Sequence, residues 1–169
     1  MTESPDDVSS QPAGIAIDSA GGGDANPPPA GVTAEQAVAL ANEARGGLVE
    51  KLGIEFVEIG REWMRARMPV EGNTQPYGIL HGGATASLCE TVASMGTAFL
   101  VGFEKLSVGI DLSITHVRSA RQGWVTVTAR PLRIGNTIAH WDMQVHDDQG
   151  RLVAVSRLTL AVRTPAPSS

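Results

Sequence analysis

The chain has 169 residues, 42% of them hydrophobic and 18% charged, with 18 acids, 13 bases, one cysteine and a formal net charge of −5; this is apolar material for one domain with a core of ordinary size. The charge is uneven: residues 1–32 hold five acids and no Lys or Arg, so residues 33–169 carry 13 of each sign and no basic excess to replace phosphate counterions, which excludes nucleic acid as a partner. A lone cysteine excludes an intramolecular disulfide framework and a cysteine-based zinc cluster, and suits a reducing, cytoplasmic compartment.

Residues 1–32 also contain five Gly, five Pro and four Ser, including Gly21-Gly22-Gly23 and Pro27-Pro28-Pro29. Such a segment buries too little to offset its ordering entropy and is predicted to be disordered. It lacks the basic start and apolar run of a secretory signal. Residues 33–163 form the expected domain, and residues 164–169 are expected to fray. Thr33 followed by Gln36 three residues later predicts a helix opened by a capping box, with Ala37, Leu40 and Ala41 as its apolar stripe and Gly46-Gly47 as its stop. Two strands are predicted next, at 54–59 and 63–70; in the second, Met64, Ala66 and Met68 alternate with Arg65 and Arg67.

Residues 82–102 form the longest apolar stretch, with Glu90 as its only charge before Gly102. About 20 apolar residues can span a bilayer. This run, however, is rich in Ala, Ser, Thr and Gly, holds an acid near its middle and lacks basic flanks, so it reads as a buried helix. Four strands follow, at 107–116, 124–132, 137–146 and 152–162. Their links, Arg121-Gln122-Gly123, Gly135-Asn136 and Asp147-Asp148-Gln149-Gly150, are short and rich in turn formers. Short links join antiparallel neighbours. The expected architecture is therefore α+β, a meander of antiparallel strands with one long buried helix.

The chemistry is expected where residues 73–83 run into that helix. Gly82 and Gly83 weaken a helix start, which fits two readings. One is tight packing or loop geometry; the other is close approach of a ligand oxygen to free N–H groups at the positive end of the helix dipole, an oxyanion hole. Glu90 likewise has two readings: a partly exposed edge residue, or a buried acid whose pKa burial would raise toward the range useful for proton transfer or attack. Ser94, four residues on, shares its helical face. Eight residues separate Gly82 from Glu90, about 12 Å along a helix at roughly 1.5 Å per residue. One bound carbonyl cannot touch both within a single helix. If they cooperate, Glu90 comes from a neighbouring copy, at a two-fold dimer interface that small residues such as Ala86 and Ala93 would permit.

The string Gln75-Pro76-Tyr77-Gly78-Ile79-Leu80-His81-Gly82-Gly83-Ala84, with Glu90 nine residues after His81, resembles the hotdog-fold acyl-CoA thioesterases. The likeness is greatest to the 1,4-dihydroxy-2-naphthoyl-CoA and 4-hydroxybenzoyl-CoA branch. Residues 108–111, 116–121, 150–152 and 156–159 extend the likeness over roughly 50–163. The resemblance implies an antiparallel sheet wrapped around the long helix and hydrolysis of an aromatic acyl-CoA to free acid and CoA, without metal or redox cofactor. It implies that the Gly82 N–H polarises the thioester carbonyl, helped by Gln75 and His81. Glu90 of the partner would act as nucleophile or general base, assisted by Ser94. Gly109, His116, Arg118 and Ser119, with the hairpin carrying Arg133 and Asn136, would meet the CoA arm. Asn136, Thr137 and Ile138 depart from the more polar or basic residues of close relatives. A homodimer or dimer of dimers (a homotetramer), a cytoplasmic location and a place in menaquinone biosynthesis follow from the same likeness.

Other chemistries find no support. Cys89 points about 100° away from Glu90 on a helix and reads as a packed core thiol. His140 and His146 share a strand face but lie about 20 Å apart, too far for one metal ion. There is no G-x-S-x-G elbow, phosphate loop or dinucleotide fingerprint. The alternatives on the same fold are a medium-chain aliphatic acyl-CoA thioesterase and a non-catalytic acyl-CoA binding protein.

Overall fold

Thr33 opens the first helix through the predicted box: its Oγ1 accepts from the Gln36 N–H at 3.2 Å, and the Gln36 side chain accepts from the Thr33 N–H at 2.8 Å. In chain order the computed structural model, which describes residues 26–165, gives α1 (Ala34–Glu43), α2 (Gly47–Lys51), β1 (Glu55–Ile59), β2 (Met64–Pro69), β3 (Thr74–Gln75), β4 (Ile79–Leu80), α3 (Gly82–Val101), β5 (Leu106–His116), β6 (Trp124–Ile134), β7 (Ile138–Asp147) and β8 (Leu152–Arg163). Gly46, expected only as a stop, is also the N-cap of α2. The two-residue strands β3 and β4 were not predicted.

Residues 1–25 and 166–169 lie outside the described residues, and with them most of the predicted disordered tail and the predicted fraying end. The last part of that tail belongs to the folded body. Asn26 donates to the Glu58 carboxylate and the Trp63 carbonyl, both at 2.9 Å, and accepts from the Glu62 N–H at 3.0 Å. A side chain at Gly60 would occupy the space that the Asn26 amide fills. Composition told nothing of this anchoring, because one asparagine satisfies a whole β-turn.

All six long strands form one antiparallel sheet in the order β1-β2-β6-β7-β8-β5. The meander holds for β6, β7 and β8. It fails for the link containing Arg121-Gln122-Gly123, which joins β5 to β6 although β7 and β8 lie between them. Three antiparallel steps still reverse the direction, so the segment 117–123 can cross the ends of the sheet, fixed by the Val117 and Arg118 N–H groups on the Val153 carbonyl. One sheet edge is therefore as a meander would have it, β1, and the other is new, β5 rather than β8.

The long helix α3 lies across this sheet as expected and is its core helix. Leu88, Cys89, Val92, Ala93 and Gly96 are buried beneath it, facing Met64, Met68, Val127, Trp141 and Met143. Gly96 allows the closest approach: a Cβ there would meet the Met64 sulfur and the Trp141 ring. The Trp141 indole N–H donates to Thr97 Oγ1 at 2.8 Å, and that hydroxyl donates to the Ala93 carbonyl at 2.8 Å. Every polar atom of this buried chain is thus partnered, and the helix is pinned to the centre of the sheet. At the β1 edge, Asn42 of α1 both donates to the Phe56 carbonyl and accepts from the Phe56 N–H, so that edge is partly occupied. The β5 edge pairs with no further strand among the described residues.

Candidate active site

The chain enters α3 through a short hairpin. β3 pairs with β4, the His81 N–H donates to the Asn73 carbonyl at 2.9 Å, and Leu80 N–H donates to the Ala120 carbonyl at 2.8 Å. His81 is the N-cap. Its Nδ1 accepts from the Gly83 N–H at 2.9 Å, while its carbonyl accepts from Ala84 and Thr85. Of the donors in this first turn, the Gly82 N–H has no acceptor among the described residues, and it bears the positive end of a 20-residue helix.

The paired glycines are tightly packed, as one of their two readings expected. A Cβ at Gly83 would stand 3.0 Å from the capping Nδ1 of His81, and one at Gly82 would stand 3.1 Å from Cε1 and 3.4 Å from Nε2 of His116. A side chain at either position would press on a histidine ring, which would have to give by a few tenths of an ångström, while the Gly82 N–H is left without an acceptor among the described residues.

That N–H opens on a cavity of about 490 Å³ whose lining includes Gln75, Gly82, Thr85, His116, Arg118 and Ser119, with Ile79, Val117 and Val153 as apolar wall. The volume is that of a small-molecule site. The structure thus brings together Gln75, Gly82, His116, Arg118 and Ser119 of the predicted set. His81 is an exposed cap beside them rather than part of the wall. Thr85 was missed. It is buried and its hydroxyl donates to the His81 carbonyl at 3.4 Å; the signal was a threonine four residues after the N-cap, one helical turn along the same face.

Glu90 and Ser94 lie elsewhere. Glu90 is exposed on α3, which corrects the reading of a buried acid in favour of the edge residue. The helix passes the sheet edge there, and the Glu90 carboxylate stands over Gly109 of β5, where a Cβ would come within 2.5 Å of Oε1. Gly109 therefore backs the carboxylate in this chain. Ser94 is half-buried one turn on, and its carbonyl accepts from the Ser107 hydroxyl at 3.2 Å. Cys89, next in sequence to Glu90, is fully buried; burial pushes its thiol up to about 12, against a smaller downward pull from Ser156. A thiol so raised is no nucleophile.

Arg133 and Asn136 form a third group. With Gly135, Thr137, Ile138 and His140 they line a separate cavity of about 320 Å³ at the β6–β7 hairpin, and they share no wall with the Gly82 cavity. Among the described residues no cluster of His, Cys, Asp and Glu could hold a metal ion.

Residues 77–154 match the thioesterase superfamily. The chain is 39% identical over 125 residues to the 1,4-dihydroxy-2-naphthoyl-CoA hydrolase of Escherichia coli K12, covering 73% of this chain and 92% of that one. It is 41% identical over 125 residues to the proofreading thioesterase EntH of Cronobacter turicensis, covering 73% and 91%. Among solved structures, a thioesterase from Haemophilus influenzae superposes with a TM-score of 0.71 at 36% identity, over 79% of this chain and 92% of that one.

Proposed function

This chain belongs to the thioesterase superfamily and is a thioester hydrolase, and we propose that it hydrolyses aromatic acyl-CoA esters in a homodimer with two sites, each built from both copies. The observation that carries this reading is the unpartnered Gly82 N–H at the head of α3, facing a cavity of ligand size. As water or carboxylate adds to a thioester carbonyl, negative charge grows on its oxygen. A fixed donor at a helix N-terminus, aimed where that charge develops, stabilises the transition state more than the substrate. The backbone pairing of Gln75 with Ile79 and the Thr85 bonds to the His81 carbonyl hold the turn that carries it. Arg118, exposed at the cavity mouth, offers charge-assisted bonds to coenzyme A phosphates. An aromatic acyl group fits the apolar wall of Ile79, Val117 and Val153, and the naphthoyl-CoA hydrolase of E. coli is among the relatives.

Glu90 is the attacking carboxylate or the base for water, supplied by the second copy. Two features support the pairing. Within one helix Glu90 lies about 12 Å from Gly82. The bare β5 edge also exposes Leu106, Val108 and Ile110 at 54–59%, and such an edge is a template for another strand. Pairing β5 with its own copy would continue the sheet, cover these side chains and bring the two α3 helices side by side, with Glu90 on that seam. The cytoplasm, where coenzyme A esters are made and used, is the matching compartment, and menaquinone synthesis is where a naphthoyl substrate would arise.

The test is release of CoA, followed with a thiol-reactive dye, across aryl- and alkyl-CoA esters, for wild type and Glu90→Ala. Aryl-CoA turnover that vanishes in the variant is the expected result. Preference for aliphatic esters would overturn the aromatic assignment. No turnover of any ester, with CoA ligands still bound, would make this a binding protein. Subunit sharing has its own test. Gly82→Pro removes the donor at N1, where the backbone tolerates proline, and its ring also presses on His116 of the same cavity, so it disables the cavity of its own chain. Mixed after refolding, Gly82→Pro and Glu90→Ala chains, each inactive alone, should recover about a quarter of wild-type activity, because half the dimers are mixed and each of these has one intact site. No recovery would place the whole site within one chain.

A further inference from the structure

Resting on that reading, we propose that His116 is a catalytic residue, the acid that protonates the departing sulfur as the tetrahedral adduct collapses. The sequence likeness placed His116 on the coenzyme arm. At the end of β5 its ring lies against Gly82, with the Cε1–Nε2 edge nearest, 3.1 and 3.4 Å from where a Cβ would be. The oxyanion accepts from the Gly82 N–H at about 2.9 Å, so the carbonyl carbon and the sulfur attached to it lie within reach of this ring.

Two further observations set this ring apart from the other histidines near a cavity, His146 having no partner either but lining none of the cavities described. Neither nitrogen of His116 has a hydrogen-bond partner among the described residues. By contrast, His81 spends Nδ1 on the Gly83 N–H, and the Nδ1 of His140 is 3.2 Å from the Thr159 hydroxyl. The cavity wall also holds no second imidazole and no carboxyl: its other polar side chains are the Gln75 amide, the Ser119 hydroxyl, the Thr85 hydroxyl engaged with the His81 carbonyl, and the Arg118 guanidinium. His116 is the one wall residue of the type that serves as a general acid.

The step balances as follows. The oxyanion pair re-forms the carbonyl, the C–S bond breaks with its electron pair on sulfur, and the Nε2 proton of the imidazolium moves to that sulfur. The thiol leaves neutral, and the imidazole takes a proton back from solvent, which also receives the one released by the attacking water. The step is the same whether Glu90 attacks directly or activates water. Its importance depends on the leaving group: an alkyl thiolate such as that of CoA is basic, whereas a nitrophenyl thiolate departs without a proton.

The experiment compares wild type with His116→Gln on three benzoyl thioesters, of CoA, of N-acetylcysteamine and of 4-nitrothiophenol. The expected result is a fall in kcat on the order of 100-fold for both alkyl esters, and less than about 3-fold for the nitrophenyl ester. Added imidazole should restore alkyl-ester turnover to His116→Ala, a readout that a merely structural role would not give. An equal fall on all three esters, with the melting temperature of the variant unchanged, would overturn the proposal and make His116 a second oxyanion donor or a packing residue. A rise in KM confined to the CoA ester would return it to the coenzyme arm. Failure of the underlying reading looks different: wild type would turn over none of the esters, or Glu90→Ala would retain full activity.

Discussion

Gly109→Ala separates the position of the Glu90 carboxylate from the stability of the fold. The added Cβ would stand 2.5 Å from Glu90 Oε1, whereas ordinary contact begins near 3.4 Å, so the carboxylate must withdraw by about 0.9 Å. The remaining near neighbour, Leu158 Cδ1 at 3.5 Å, is already at ordinary contact distance, and Gly109 has no positive φ. Backbone strain is therefore absent. Replacing glycine in a strand interior should stabilise the chain by about 0.5–1 kcal/mol through the unfolded state. With Glu90 in its proposed role, catalysis behaves differently. Displacing a reacting group by about 1 Å costs on the order of 100-fold in rate, or about 2.7 kcal/mol of barrier. The expected outcome is a kcat for an aryl-CoA ester lowered about 30- to 100-fold, with KM unchanged and the urea midpoint equal to or above wild type. Steady-state kinetics and urea titration on the same preparation measure both. An unchanged kcat would refute the claim that Gly109 sets the carboxylate's position. A rise in KM with constant kcat would make Gly109 a contact of the coenzyme arm.

Thr97→Val keeps the shape of the core but leaves the buried Trp141 indole N–H without an acceptor; urea unfolding should show a loss of about 1–3 kcal/mol. Burial alone would raise the Asp147 carboxyl, but the hydrogen bonds and charge of Arg151 and the Gln149 N–H outweigh it and hold it below its ordinary value. Its contribution is therefore full above the unfolded carboxyl's pKa of about 3.9 and is lost as pH falls through the lower folded value. In Arg151→Ala, urea midpoints measured from pH 2 to 7 should be lower at neutral pH and should fall less than those of wild type as the pH drops below about 4, so that the two profiles converge in acid. Cys89, raised to about 12 by burial, should react with a thiol dye at pH 8 only at the rate of global unfolding, so it adds no background to a CoA-release assay; fast labelling of the native chain would contradict its burial.

The strands were legible to within a residue or two because alternation is enforced wherever one face of a sheet is buried. β7 buries Ala139, Trp141, Met143 and Val145, with half-buried polar residues between them. Alternation says which side faces the core and nothing about which strand lies alongside, so the partner of β5 was not legible. The antiparallel rule for short links fixed its direction but not its place. The Gly82 cavity was half legible: Gln75, Gly82, Arg118 and Ser119 stand in recognisable strings, but the meeting of His116 with Gly82 joins residues 34 positions apart and is a product of the β8–β5 pairing.

Glu90 shows most clearly why sequence reasoning stopped short. A lone acid in an apolar helix reads as buried, yet hydropathy counts side chains without saying what lies over them. The small residues around Glu90 on α3, Ala86, Ser87 and Ser94, fit under a neighbour or under water equally well. The same ambiguity runs through β5, whose Val108, Ile110, Leu112 and Ile114 alternate as a core strand should, while no residue of that strand is fully buried in the single chain. An acid that looks misplaced in a helix and an apolar strand without a core meet at Gly109. Both become intelligible if the pattern was written for two copies, and the proposed β5 pairing buries the one where it needs cover and delivers the other to the partner's Gly82 cavity.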